Sequence, residues 1–178
     1  MSVAAPTPEV SNLSGGDVDM ALAYDVPESA GLRTLFSSEW PIGAVVPPGH
    51  ALSASASTTL ADCVGFPLIL PTATLSLRPI LDGALGRSAI SVSPVIETTS
   101  TALMRQLTRQ GVGITLLNRL DVGDDVRAGT LVFVPLRDSG IRPQSLSLVM
   151  RAGATLNAAA EALSQQVVVC IEEAMVAA

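Results

Sequence analysis

The sequence predicts an α/β fold with a largely parallel sheet, and three observations support this prediction. Segments typical of strands alternate with segments typical of helices along the second half of the chain. The short apolar run PLILP (67–71) is bounded by prolines, which is typical of a strand buried on both faces. The longest apolar run, VGFPLIL (64–70), is far shorter than the roughly 18 residues that a membrane helix needs.

The first third of the chain predicts strands joined by turns. Residues 1–16 are rich in Pro, Ser and Gly without periodicity, and predict a leader or loop. The segment VDMALAY (18–24) predicts a buried strand, and residues 32–46 predict an extended segment that ends in a strand. A turn-rich passage over 47–58 then precedes a short helix over 59–66.

Beyond PLILP, helices and strands alternate to the C-terminus. Ser76 is placed to cap a helix over 76–87, and Gly111 is placed to end a helix that begins at Ser100. Apolar residues at helical spacing predict a long helix over 156–178 with one buried face. The remaining segments predict strands over 91–98, 113–117, 130–136 and 145–151, and a short helix with a turn over 118–129.

The composition excludes several classes of function. The 178 residues include ten Arg and no Lys against 16 Asp and Glu, which gives a net charge of -6. Such a chain lacks the cationic surface that binds nucleic acid or an anionic membrane. No basic and apolar N-terminal region marks a secretion signal, so we expect a cytoplasmic protein. Cys63 and Cys170 lie in apolar surroundings and predict buried free thiols, with a single disulfide as the alternative.

Catalysis is disfavoured because the usual chemical groups are missing from the sequence. His50 is the single histidine and lies in the turn-like PPGHAL, where capping a loop is its expected role. No nucleophile, metal-ligand or phosphate-loop motif is present. The adjacent acidic pairs 124–125 and 172–173 point in different directions and predict solvated surface. We therefore expect a protein that is not an enzyme and that holds no metal and no cofactor.

Hydroxyl side chains are concentrated where predicted strands run into predicted helices. At such junctions, hydroxyls and the amides of a helix start favour an anion. Ser76 and Ser100 are expected mainly to cap their own helices, whereas the other hydroxyls exceed what capping requires. The first group follows PLILP and the second follows SPVIE: Thr72, Thr74 and Ser76, and Thr98, Thr99, Ser100 and Thr101.

The order of several degenerate motifs resembles the effector-binding domain of LysR-type transcriptional regulators, whose fold is similar to type 2 periplasmic solute-binding proteins. The segment VIETTSTALMRQLTRQGVGITLLNRL (95–120) carries the best match, although Asn118 stands where the family pattern usually has proline. In the turn after WPIGAVVPPG, Ala51 replaces another proline of the pattern. The other matching segments are GDVDMALAY (16–24), WPIGAVVPPGHAL (40–52) and residues 60–85, 127–138 and 145–153.

The resemblance implies two lobes that are joined by two crossover strands. The first lobe would comprise residues 17–46 and 145–178, and the second lobe residues 47–144, after a leader over 1–16. A strand, a helix and a second strand that open the family's first lobe have no counterpart in this sequence, nor has the winged helix-turn-helix. The first lobe is therefore expected to be incomplete. Either the sequence is a fragment or a wrongly started reading frame, or another chain supplies the missing part.

The resemblance also implies a site and a function. A small anionic effector, such as a carboxylate, would bind between the lobes. The chain would act as the sensing domain of a homo-oligomeric regulator that contacts DNA only through a helix-turn-helix domain outside this sequence, and that contacts no membrane. The alternatives are a solute-binding protein of the same fold and a dimerisation remnant that senses nothing. Arg78 resembles a recurrent arginine near the pocket, with a surface ion pair as the alternative, and the implied effector-binding residues are Pro71, Thr72, Thr74, Thr98, Ser100 and Tyr24.

Overall fold

The computed structural model describes residues 12–13, 16–28 and 31–176, which divide into two compact units. The first unit contains the described residues of Met1–Glu39 and Ser145–Ala177, and the second contains Trp40–Gln144. Within the described residues the elements are, in chain order, β1 (Met20–Tyr24), β2 (Leu32–Trp40), β3 (Ile42–Val46), α1 (Leu60–Cys63), β4 (Leu68–Pro71), α2 (Leu77–Arg87), β5 (Ile96–Thr98), α3 (Thr101–Arg109), β6 (Ile114–Asn118), α4 (Gly123–Arg127), β7 (Val132–Pro135), β8 (Gln144–Arg151) and α5 (Ala158–Val176).

The first unit contains a three-stranded sheet in the order β1-β8-β2. Strands β1 and β8 are antiparallel, with Met20 opposite Met150 and Tyr24 opposite Leu146. Leu13 is fully buried and packs in a small cluster with Ala21 and Val149. This part of the core depends on three aliphatic side chains and a few partly buried neighbours.

Helix α5 of the first unit confirms the predicted long C-terminal helix, but few of its residues are buried. Only Ala160 and Ile171 are buried among its described residues, whereas Leu163 and Val169 are exposed. Cys170 is also exposed, so the prediction that it is buried was wrong. The helix is apolar on most of its circumference and carries few charges, so the sequence pattern could not single out one face.

The second unit contains a five-stranded sheet in the order β5-β4-β6-β3-β7. The three strands β5, β4 and β6 are parallel, whereas β3 is antiparallel to both of its neighbours, β6 and β7. The α/β class is confirmed, but the sheet is mixed and not largely parallel. Parallel strands follow helical crossovers, while β3 enters the sheet before the first of these crossovers.

Strand β3 corrects the prediction for residues 32–46. These residues form two strands, β2 in the first unit's sheet and β3 in the second unit's sheet. All five residues of β3 are buried between β6 and β7. The assignment of residues 42–46 to the first lobe was therefore wrong, because a fully apolar strand does not indicate which sheet it joins.

The second unit has a continuous hydrophobic core. Strands β3, β4 and β6 supply its centre, and helices α2 and α3 supply Leu81 and Met104, both fully buried. Cys63 at the end of α1 is also buried in this core, as predicted. Burial raises the pKa of the Cys63 thiol to about 12, so the thiol stays protonated and unreactive at neutral pH.

A buried carboxylate in the second unit corrects another prediction. Asp125 on α4 is 5% exposed and accepts hydrogen bonds from Arg105 and Arg109 on α3 and from the Thr130 hydroxyl. Only its neighbour Asp124 is a solvated surface residue, and it pairs with Arg127 on the same helix. The sequence predicted both acidic residues on the surface, because its local pattern does not contain the arginines of the neighbouring helix.

Candidate functional site

The carboxyl ends of two parallel strands bring the predicted hydroxyl groups together. Strand β4 pairs with β5 so that Pro71 lies opposite Thr98, and the Thr72 amide donates to the Thr98 carbonyl at 3.2 Å. Both strands then lead into helices, β4 into α2 and β5 into α3. The structure thus brings together Pro71, Thr72, Thr74, Thr98 and Ser100, which we call the hydroxyl cluster. This is the edge of an α/β sheet at which ligands usually bind.

Hydrogen bonds within the hydroxyl cluster hold its loops in place. The hydroxyls of Thr72 and Thr74 lie 2.9 Å apart, and the Ser100 amide donates to the Thr98 hydroxyl at 3.1 Å. Thr72 and Thr98 are half-buried, while Thr74 and Ser100 are exposed. Each hydroxyl has two lone pairs and one proton, so these contacts leave capacity for a ligand.

The two serines that were expected to cap helices behave differently. Ser100 caps α3 as predicted, since its hydroxyl accepts from the Leu103 amide at 3.2 Å. Ser76 precedes α2 in helical backbone geometry, and its side chain makes no capping hydrogen bond. The predicted capping role of Ser76 was therefore wrong, and its hydroxyl instead accepts from the Gln144 side chain at 3.0 Å.

Arg78 on α2 contacts the ends of both strands that carry the hydroxyl cluster. Its guanidinium donates to the Pro71 carbonyl at 2.8 Å, to Asp82 at 2.8 Å, and to Glu97 on β5. These hydrogen bonds to Asp82 and Glu97 raise the pKa of Arg78, which is 18% exposed. One cation serves two carboxylates here, so Arg78 acts as a brace between the two strand ends. The ion pair that was the alternative prediction for Arg78 is present in the structure.

Tyr24, the sixth predicted site residue, belongs to the first unit. It is half-buried at the end of β1, opposite Leu146 on β8. The next residue, Asp25, has a positive φ of 52° and donates its amide to the Ser145 carbonyl at 2.7 Å. The structure therefore groups five of the six predicted residues in the second unit, and effector binding by all six stays a prediction.

His50 lies in a turn of the second unit and has a structural role. Its Nδ1 accepts from the Leu52 amide at 3.2 Å, and its ring packs edge-on against Phe66 with centroids 4.5 Å apart. Burial lowers the pKa of the imidazole, which favours the neutral form that accepts this hydrogen bond. Among the residues that the structure describes, no group of three His, Cys, Asp or Glu side chains is arranged to hold a metal ion.

Two buried side-chain amides near the hydroxyl cluster belong to no motif of the sequence. Asn118, at the end of β6, donates its Nδ2 to Gln144 Oε1 at 2.9 Å and accepts from the Asp121 amide at 2.9 Å. Gln144 in turn reaches Ser76, so a chain of side-chain hydrogen bonds runs from β6 to the start of α2. The departure of Asn118 from the expected proline was the one signal in the sequence that marked this position.

A comparison of the whole chain with protein families decides its relationship. The model described as LysR substrate binding domain matches residues 3–168. The chain belongs to this family. In the described residues no helix is both long and apolar enough to cross a membrane.

Relatives within the family include two curated regulators. The chain is 31% identical over 134 residues to the HTH-type transcriptional regulator BbuR of Bordetella bronchiseptica, which covers 74% of this chain and 41% of BbuR. It is 34% identical over 104 residues to the transcriptional activator protein LysR of Escherichia coli, covering 56% of this chain and 33% of that protein. The chain thus spans less than half the length of these curated relatives.

Solved structures show the same fold. The effector binding domain of QuiR in complex with shikimate has a TM-score of 0.71 at 16% identity, over 89% of this chain and 75% of that one. The regulatory domain of CcmR from Synechocystis PCC6803, in complex with 2-PG, has a TM-score of 0.71 at 14% identity, over 90% of this chain and 77% of that one. The LysR substrate binding domain fold predicted for this sequence is confirmed.

Proposed function

We propose that this LysR substrate binding domain senses a small polar metabolite for a transcriptional regulator, and that the hydroxyl cluster binds it. The pairing of β4 with β5 carries the proposal, because it sets Pro71 and Thr98 side by side where both strands lead into helices. The structures it resembles, those of QuiR and CcmR, hold shikimate and 2-PG. Family membership and the position of the cluster in the fold support the same conclusion.

The chemistry of the hydroxyl cluster favours an anion held by neutral donors. The first amides of α3 have no acceptor inside the helix, and the dipole of a helix start favours negative charge. Thr72, Thr74 and Thr98 add hydroxyls that donate to oxygen. Arg78 forms ion pairs with Asp82 and Glu97, so its positive charge is already balanced. It therefore holds the strand ends in place and does not act as a cation for the ligand. A small carboxylate that also bears hydroxyls matches this set of donors.

The whole regulator extends this proposal beyond the present chain. We propose that it works in the cytoplasm as a homo-oligomer and reads DNA through a helix-turn-helix domain outside this sequence. Effector binding would shift the population of two arrangements of the oligomer. Tyr24 of the first unit is proposed as a further effector contact, and a Tyr24→Phe variant tests it through the loss of one hydroxyl.

Calorimetry with a panel of small carboxylates, including shikimate, tests the site. Thr72→Val should weaken binding by about 1–3 kcal/mol if a buried donor or acceptor loses its partner, and Ser100→Ala should weaken it too, because each removes a hydroxyl at a strand-to-helix junction. Ser88→Ala is the matched control, since Ser88 is an exposed serine at the far end of α2. Unchanged affinity in both cluster variants would reject the site, and a panel in which nothing binds would favour a dimerisation domain that senses nothing.

A further inference from the structure

We propose that Gln144 is a positioning residue of the effector site, and that it ties the loop of residues 72–76 to the point where the chain leaves the second unit. The proposal rests on the proposed function for the identity of the loop as an effector site. Gln144 is the last residue of the second unit and the first residue of β8. We call the hydrogen-bonded side chains Asn118, Gln144 and Ser76 the amide relay.

Burial of its two amides favours one arrangement of the hydrogen bonds in the amide relay. Asn118 and Gln144 are almost fully buried, and buried amides are nearly always hydrogen-bonded in native proteins. The Gln144 side chain meets this requirement at both ends, since its Oε1 accepts from Asn118 and its Nε2 donates to Ser76. Movement of Ser76 away from Gln144 would break one hydrogen bond of this buried amide.

Ser76 gives up a local interaction to take part in the amide relay. A serine that directly precedes a helix normally accepts from an amide in the first turn, as Ser100 does at α3. Ser76 makes no such bond, and its backbone is already helical with φ of -59° and ψ of -22°. A tertiary contact that spans 68 residues has therefore replaced the local cap. The residue that precedes α2 is therefore held by a residue of β8 and not by its own helix.

The other end of the amide relay, Asn118, lies beside the segment where the chain enters the second unit. Asn118 pairs with Ile42 in the ladder between β6 and β3, and the Arg119 amide donates to the Pro41 carbonyl at 2.9 Å. Residues 118 and 119 thus hold the chain just after it enters the second unit, while Asn118 also holds Gln144 where the chain leaves it. A change at the loop of residues 72–76 is passed to Gln144 through one hydrogen bond.

The test uses amide resonances of the full chain, first without ligand. Ser76→Ala should shift the Gln144 side-chain amide and the backbone amides of Gln144 and Ser145. It should also speed hydrogen exchange of the Leu75 amide, which donates to Thr72, by about tenfold for one lost hydrogen bond. Ser76→Thr keeps the hydroxyl and should restore both values. These readouts distinguish positioning from a general loss of stability.

Ser100→Ala is the matched control, because Ser100 also precedes a helix at a strand end, and its hydroxyl accepts from the Leu103 amide of that helix and not from Gln144. It should shift the Leu103 amide and leave Gln144 unchanged. A Gln144 side chain that does not respond to Ser76→Ala, or that responds equally to Ser100→Ala, would overturn the amide relay. Gln144→Met, with folding checked by thermal unfolding, should speed exchange of the Leu75 amide as Ser76→Ala does, and an unchanged rate would likewise overturn it.

A second arm separates failure of the amide relay from failure of the proposed function. Shikimate and the other carboxylates of the panel are titrated into the unmodified chain and into Gln144→Met. Weaker binding by about tenfold in Gln144→Met supports positioning through the lost hydrogen bond. Equal affinity overturns positioning while the sensing function stands. If no carboxylate binds the unmodified chain, the sensing proposal fails and the ligand-free resonances alone decide the relay.

Discussion

The two units of this protein differ in how much apolar surface they bury within the described residues. The second unit encloses a continuous core between a five-stranded sheet and its helices, and residues such as Leu117 are fully buried. The first unit has three strands, a small cluster around Leu13, and a C-terminal helix that keeps Leu163 exposed. Because hydrophobic burial dominates folding stability, the second unit should be the stable part of the molecule.

The hydroxyl cluster lies on the unit with the closed core. A binding site needs loops held in a fixed arrangement, and rigid elements position such loops more accurately than weakly packed ones. Strands β4 and β5 and helices α2 and α3 belong to the well-packed second unit, and Arg78 on α2 donates to the carbonyl of Pro71 at the end of β4. The proposed effector site therefore lies on the better-packed unit, whereas the first unit exposes apolar side chains such as Leu163.

The largest expected effect compares one leucine from each unit. Leu117→Ala in β6 should lower the free energy of unfolding by about 2–5 kcal/mol, because a fully buried side chain leaves a cavity. Leu22→Ala in β1 should cost much less, since Leu22 is 42% exposed. Urea denaturation followed by circular dichroism measures both values. Similar losses for the two variants would show that the units are equally packed.

Hydrogen exchange on the unmodified chain checks the same comparison without mutation. Amides of residues 68–70 and Ile114–Asn118 should exchange slowly, because they lie in the centre of the second unit's sheet. Amides of Met20–Tyr24 should exchange faster, because β1 lies in the small sheet. Equal protection of β1 and β6 would contradict the difference in stability.

The second effect concerns the buried charge network of the second unit. Asp125→Asn should lower stability at neutral pH by about 1.5–3 kcal/mol, the range for hydrogen bonds to charged groups. Burial raises the pKa of Asp125, but hydrogen bonds from Arg109 and Thr130 and the charge of Arg105 outweigh it, so the pKa lies below its ordinary value. The contribution is therefore present above pH 3.8 and is lost as the pH falls through the lower folded pKa.

Unfolding midpoints of the unmodified chain and Asp125→Asn, measured from pH 7 to pH 3, check this sign. The two midpoints should differ at pH 7 and approach each other at the acidic end. Asp124→Asn is the matched control, because Asp124 is an exposed neighbour on the same helix. A difference that grows on acidification would mean that Asp125 is protonated more readily in the folded chain, contrary to its contacts.

The smallest expected effect tests the exposed apolar surface of the first unit. The chain should self-associate through this unit, and Leu163→Glu in α5 should weaken the association by about tenfold, or roughly 1.4 kcal/mol. Val95→Glu in the second unit is the matched control, since the two side chains are 56% and 55% exposed and the added charge is the same. Light scattering over a range of concentrations measures the association. A stable monomer, or equal effects of the two variants, would reject the first unit as the associating surface.

Local patterns in the sequence predicted the second unit well. The prolines around PLILP and the glycine after the α3 segment correctly placed β4 and α3, and the spacing of hydroxyls correctly placed Thr72 and Thr98 at adjoining strand ends. These features are local, because turn residues, caps and strand ends depend on a few neighbouring residues. The assignment of the cluster to an effector stays a prediction.

Other features depended on partners that are distant in the sequence. The buried segment Ile42–Val46 gave no indication of its sheet until β6 and β7 enclosed it. Asp125 looked like its solvated neighbour Asp124 until the arginines of α3 reached it. Cys170 looked buried because α5 is apolar, and its exposure depends on how little of that helix the first unit covers.

The sequence by itself determined the α/β class, the order of elements in the second unit and the hydroxyls at its strand ends, because periodicity and turn chemistry act over a few residues. Only the tertiary structure decided which sheet received β3 and which partner Ser76 took. The hydroxyl of Ser76 could accept from its own helix or from a distant amide, and local chemistry favours the helix. In the structure it accepts from Gln144, a buried amide, and buried amides are nearly always hydrogen-bonded.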